Sequence, residues 1–147
     1  MFKRLLVPVD GSKHARHAIE TAIELAKEYG STVYLLHVIR DLSLPKEILE
    51  MIQTGEVTES RLEILQDSAE IILENAREIL VQAGVDGVQS EYVMGDPATQ
   101  ILRYGEQKGV DLIVLGHRGL GPGKGLLGSV ARKLLNMTTI SCLIVAG

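Results

Sequence analysis

The feature that most constrains the fold is an alternation. Short, nearly unbroken apolar runs take turns with longer segments whose apolar residues recur at helical spacing. Arg4-Leu5-Leu6-Val7-Pro8-Val9 has no polar alternation, as a strand covered on both faces requires. Asp10-Gly11-Ser12 breaks the run and offers capping side chains. Ala15, Ala18, Ile19, Ala22, Ile23 and Ala26 then mark a helix that Gly30 closes, its small residues suited to lying close on a sheet. Thr32 to Val38 reads as a second buried strand. Arg40 to Glu59 is less regular, with a short helix expected after Pro45.

Ser60-Arg61-Leu62-Glu63 has the form of a capping box, in which hydroxyl and carboxylate satisfy each other's backbone amides. The long helix it opens is expected to turn Leu62, Leu65, Ala69, Ile72, Ala76, Ile79 and Ala83 inward. Glu63, Asp67, Glu70, Glu74 and Glu78 read as its solvated face. Gly87 to Met94 is half polar and reads as an edge strand. Asp96-Pro97 opens a helix ended by Lys108-Gly109, with Ala98, Ile101 and Leu102 inward. Asp111 to Gly116 is a fourth strand, Ser129 to Asn136 a short helix and Ile140 to Ala146 a fifth strand. Strands separated by helices pair in parallel through right-handed crossovers. The expected fold is a three-layer α/β sandwich with a five-stranded parallel sheet and helices on both faces, one domain over residues 1–147.

Composition removes several alternatives. A chain of 147 residues can bury roughly 70% of its unfolded surface, so its core needs no staple. The single cysteine, Cys142, cannot form an internal disulfide, and a reducing compartment is expected. No apolar run approaches membrane-spanning length, and Met1-Phe2-Lys3-Arg4 does not read as a signal peptide. A formal charge of −4, with no Trp and one Phe, argues against nucleic acid as partner. A cytoplasmic domain is the expectation.

Ligands of such sheets bind beyond the carboxyl ends of the strands, where strand order reverses. Two of those ends are distinctive. The first is Pro8-Val9-Asp10-Gly11-Ser12. The second runs from Gly116 to Ser129 and holds six of the fifteen glycines. Glycines let backbone amides converge on an anion, and the helix starting at Ser129 adds a positive dipole end. Arg118, Lys124 and Arg132 bring charge nearby. A P-loop fails here, because Arg118 stands six before Lys124 and Gly125 follows it. Gly123 to Gly128 spells GxGxxG, but far from the strand end and with no room for the acidic partner downstream. A nicotinamide dehydrogenase is not expected.

What remains is Gly116-x2-Gly119-x8-Gly128-Ser129. With this motif, the opening Leu6-Val7-Pro8-Val9-Asp10-Gly11-Ser12 and the βα rhythm, essentially the whole chain resembles the ATP-binding type of universal stress protein. That family's motif usually has nine residues in the second spacer; here a tighter loop of eight is expected to preserve its contacts. The resemblance implies strand order 3-2-1-4-5, with nucleotide held between the ends of strands one and four. It implies nucleoside contacts at Pro8, Val9 and Asp10, adenine at Val38 and ribose at Gly116. Phosphates would fall to Gly119, Gly128, Ser129 and Val130, with Arg118 and Lys124 alongside. ATP, ADP or AMP is the implied occupant, with Mg²⁺ or Mn²⁺ on a triphosphate, in a stress-response factor acting on an unnamed protein partner.

The residues themselves leave alternatives open. Asp10 could cap the first helix, and a buried strand end accounts equally well for Val38. His37 reads as a satisfied interior or strand-end group, His14 and His17 as weak evidence for metal, and Cys142 as a structural thiol. No nucleophile–base pair is evident, so hydrolysis is expected to be weak at most. The apolar 140–146 strand invites pairing with a second copy, and the resemblance also implies such a homodimer. A dimeric interaction module without nucleotide, or a slow ATPase, are the competing readings.

Overall fold

The computed structural model describes residues 1–40, 60–117 and 127–146. The 40–59 expectations beyond Arg40, the capping side chain of Ser60, and Arg118, Gly119 and Lys124 lie outside the described residues. The elements run β1 (Arg4–Pro8), α1 (Lys13–Tyr29), β2 (Thr32–Arg40), α2 (Ser60–Gln82), β3 (Val88–Gly95), α3 (Pro97–Lys108), β4 (Leu112–Gly116), α4 (Ser129–Met137) and β5 (Ser141–Val145). All pairings are parallel and the strand order is β3-β2-β1-β4-β5. The expected fold and order are what is found.

Alternation along the strands divides two cores. Leu5, Val7, Val33, Leu35, Leu112 and Val114 face α1 and α2, where they meet Ala18, Ala22, Leu73 and Leu80. Leu6, Leu36, Ile113 and Leu115 face α3 and α4, against Ile101, Tyr104 and Leu134. The central strands are buried on both sides, which explains their lack of polar alternation. α1 begins where Ser12 Oγ accepts the Ala15 amide at 3.1 Å. It ends at Gly30, whose φ of +65° is the left-handed conformation a helix C-cap favours.

The end of one strand and the inner faces of two helices differ from expectation. β2 continues past Val38 to Arg40, because β3 is long enough to pair Ile39 with Met94 and Arg40 with Gly95. Val38 therefore stands two residues inside the strand. On α2 the buried stripe is Ala69, Leu73, Ala76 and Leu80, while Leu62 is exposed and Ile72 and Ile79 are half-buried. Leu73 and Leu80 join Ala69 and Ala76 at the centre of the buried face, with Ile72 and Ile79 packed half-buried beside them. On α3 Tyr104 and Gly105 are buried and Leu102 only half-buried.

Candidate functional site

Strand order reverses between β1, which leads through α1 to β2, and β4, which leads through α4 to β5. This topology opens the crevice beyond the carboxyl ends of β1 and β4.

Pro8 is the last residue of β1. Val9 follows as a buried residue whose amide donates to the Leu36 carbonyl at 2.8 Å. Its own carbonyl lies 2.7 Å from His37 Nδ1. A carbonyl only accepts, so His37 carries its proton on Nδ1 and donates it there. Nδ1 of this half-buried histidine is thus satisfied. Asp10 Oδ1 accepts the Ser12 amide at 2.9 Å, while Ser12 and not Asp10 caps α1. Gly11 sits at φ +83°, a turn conformation that a side chain disfavours. One hydrogen-bonded chain from β2 to the first turn of α1 therefore fixes the tip of β1.

Gly116 ends β4, in register with Val145 of β5. A β-carbon there would stand 2.5 Å from the carbonyl carbon and oxygen of His14. The glycine lets the first turn of α1 lie on the end of β4, a reason for it that needs no ligand. His14 Nδ1 is buried and has no hydrogen-bond partner among the described residues.

Beyond β4 the His117 amide donates to the Val145 carbonyl, and the Gly128 amide donates to the His117 carbonyl, both at 3.0 Å. Residues 117 and 128 are thereby pinned together at the base of the glycine-rich stretch. Gly128 is the N-cap of α4 and among the described residues no side-chain hydrogen bond caps that helix, whereas Ser12 caps α1 and Asp96 caps α3. With the Gly128 amide committed to His117 and the Arg132 amide to the Gly128 carbonyl, the first-turn amides of Ser129, Val130 and Ala131 have no carbonyl within the helix to reach. Ser129 is exposed and Val130 half-buried against the α3–α4 core. Arg132 Nη2 reaches the Leu127 carbonyl at 3.3 Å, so this charge folds back on the loop end.

Asp96, the cap of α3, accepts the Thr99 hydroxyl at 2.8 Å, the Thr99 amide at 3.1 Å and Lys133 Nζ of α4 at 3.0 Å. The Thr99 hydroxyl, then Lys133 and the Thr99 amide, hold its carboxyl down at about 2. This ties α3 to α4, a link that the sequence reading missed because the two residues lie 37 positions apart. Among the described residues no group of three His, Cys, Asp or Glu side chains could hold a metal ion. Nor is any described helix long and apolar enough to cross a membrane.

The universal stress protein family model matches residues 1–146. This chain belongs to the universal stress protein family. Universal stress protein YxiE of Bacillus subtilis is 38% identical over 99% of both chains. The structure of MJ0577 from Methanocaldococcus jannaschii superposes with a TM-score of 0.83 at 27% identity, over 100% of this chain and 97% of that one. An Arabidopsis thaliana member with AMP bound shares the fold, with a TM-score of 0.68 at 18% identity over 98% of this chain and 91% of its own.

Proposed function

We propose that this universal stress protein holds an adenine nucleotide between the tips of β1 and β4 and acts as a nucleotide-dependent regulatory factor. A stress-response role is supported by family membership; nucleotide dependence is the finer step. The observation that carries it is the uncapped start of α4, where two helices elsewhere in the chain have capping side chains. First-turn amides with the positive end of a helix dipole fit a phosphate. Facing it, the tip of β1 is held rigid by its bonds to β2 and α1.

In this reading Ser129 and Val130 donate to phosphate, with Gly119, Arg118 and Lys124 brought by the loop between. Gly128 contributes its slimness and its grip on His117 rather than its own amide. Pro8, Val9 and Asp10 face the nucleoside, Val38 the adenine and Gly116 the ribose. The AMP held by the same-fold Arabidopsis protein favours an adenine nucleotide. Asp10 is the one carboxylate at the tip of β1, so a divalent ion would ride on the phosphates of ATP rather than on a protein cage.

The test is a thermal shift with ATP, ADP and AMP. Ligand at about 100 times its Kd adds roughly 2.7 kcal/mol. Gly128→Val and Ser129→Glu are expected to abolish that gain while leaving the free protein folded. Unchanged nucleotide binding in both variants removes the α4 terminus from the reading.

Pairing of two copies is a compatible second proposal, favoured by β5. This edge strand, Ser141-Cys142-Leu143-Ile144-Val145, carries no charge, and Leu143, Leu135 and Met137 are exposed at 36%, 40% and 42%. Leu143→Glu is expected to shift a dimer to monomer in sedimentation, and a wild-type monomer at micromolar concentration would sink the proposal.

A further inference from the structure

The sheet has a second free edge, and its chemistry is opposite. Among the described residues β3 pairs only with β2, and its outer side has no partner strand. Arg77 Nη1 donates to the Val88 carbonyl at 3.0 Å and closes the start of that edge. At Ser90, Glu91 and Tyr92 the edge borders a cleft of about 1040 Å³ between β3 and α2. Buried Leu73 and half-buried Tyr92 give the cleft an apolar floor. On its α2 wall stand Asp67, Glu70 and Glu74, all exposed, with Ile71 61% exposed on the lip. Glu91 adds a fourth exposed carboxylate from the strand itself, and among the described residues no Lys or Arg lines the cleft.

A bare strand edge invites another strand, and the flanking charges decide which. A second copy laid on this edge would set the same carboxylates against each other, which is unfavourable. The uncharged β5 edge carries no such penalty. Along an added strand, side chains alternate between the two faces. One set would meet Leu73, Tyr92 and the α2 carboxylates, and the other would meet Glu91.

From these observations we infer that the β3 edge and the α2 cleft form a docking site for an extended, lysine- or arginine-bearing segment of another protein, added as a sixth strand. The site lies at the outer edge of the sheet, away from the β1–β4 crevice, and does not rest on nucleotide binding. The acidic face of α2, expected from the sequence to be plain solvated surface, becomes one wall of that site.

The experiment uses the full chain with a labelled decapeptide alternating Lys and Val, its Glu–Val counterpart and spermine. Fluorescence anisotropy reads affinity, and amide hydrogen exchange reads location. The Lys–Val peptide is expected to bind, to lose affinity as salt rises, and to slow exchange at Ser90 to Val93. Two reversals on the exposed helix face, Glu70→Lys with Glu74→Lys, are expected to weaken it about tenfold, the worth of two screened ion pairs. Ile71→Ser, which leaves charge alone, is expected to weaken it several-fold. Spermine, which has charge but no backbone, is expected to leave exchange in β3 unchanged. The inference is overturned by any of four results. These are equal binding of the Glu–Val peptide, no binding up to about 1 mM, protection at residues 141–145 instead of β3, or unchanged affinity in the double reversal.

Discussion

Replacing Gly116 by alanine isolates the packing role of this residue from any ligand. The new β-carbon would lie 2.5 Å from two backbone atoms of His14, about 0.9 Å short of the 3.4 Å at which ordinary contact begins. Backbone cannot rotate away as a side-chain tip can. Either the end of β4 retreats from Val145, or the first turn of α1 lifts. Lifting α1 strains the Ser12 cap, worth about 1 kcal/mol. Overpacking a tight site adds about 1–3 kcal/mol. The expected loss is therefore about 2–4 kcal/mol, or roughly 4–16 °C in Tm for a chain of this size. Urea denaturation of nucleotide-free protein reads it, with the slope unchanged if only stability has moved. Gly30→Ala is the control: φ is +65° but nothing lies within 4 Å, so only backbone strain of about 1–2 kcal/mol is expected. A Gly116→Ala protein within about 0.5 kcal/mol of wild type would refute the packing argument. Gly116 would then owe its identity to the crevice alone.

Three further outcomes follow from the geometry. Gly105→Ala is expected to be near neutral, since its β-carbon would meet the Ile140 Cδ1 methyl at 3.1 Å, a tip that can turn, while alanine gains about 1 kcal/mol of helix propensity; calorimetry checks the sign. Asp96→Asn tests the bonded carboxylate: its folded value of about 2 lies below its ordinary 3.8, so the charge stabilises above about pH 4 and that contribution disappears as pH falls through about 2. Because Asp96 is 46% exposed, the gap between the two melting curves is expected to stay below about 1 kcal/mol at pH 7 and to close on acidification. Cys142, whose thiol is pushed up by burial, is expected to react several-fold more slowly with iodoacetamide in the folded protein than in urea at pH 8.

Legibility in the sequence followed the range of the interactions. The Leu5–Val7 and Leu112–Leu115 runs announced buried central strands because burial on both faces leaves no room for polar alternation. Gly30 and Asp96-Pro97 announced helix ends because caps are local. On α2 the expected stripe named Ile72 and Ile79 but not Leu73 and Leu80, and only packing against β2 and β3 put those two leucines at its centre. The length of β2 was likewise decided by its neighbour, through the pairing of Arg40 with Gly95. At the crevice, the tip of β1 and the start of α4 were visible as turn residues and glycines. The ties that shape them were not, since His37 to Val9 and Lys133 to Asp96 join residues far apart in the chain.

Gly116 shows why a glycine motif cannot be read as ligand contact residue by residue. Its missing side chain is required by His14, whatever else approaches it. The two sheet edges carry the complementary lesson. Both are edge strands with one side unpaired among the described residues, and backbone geometry treats them alike; it is charge, absent from β5 and concentrated beside β3, on which we propose a second copy for one and a basic partner for the other. A Leu143→Glu variant that loses self-association yet keeps the Lys–Val peptide would separate the two edges in a single protein.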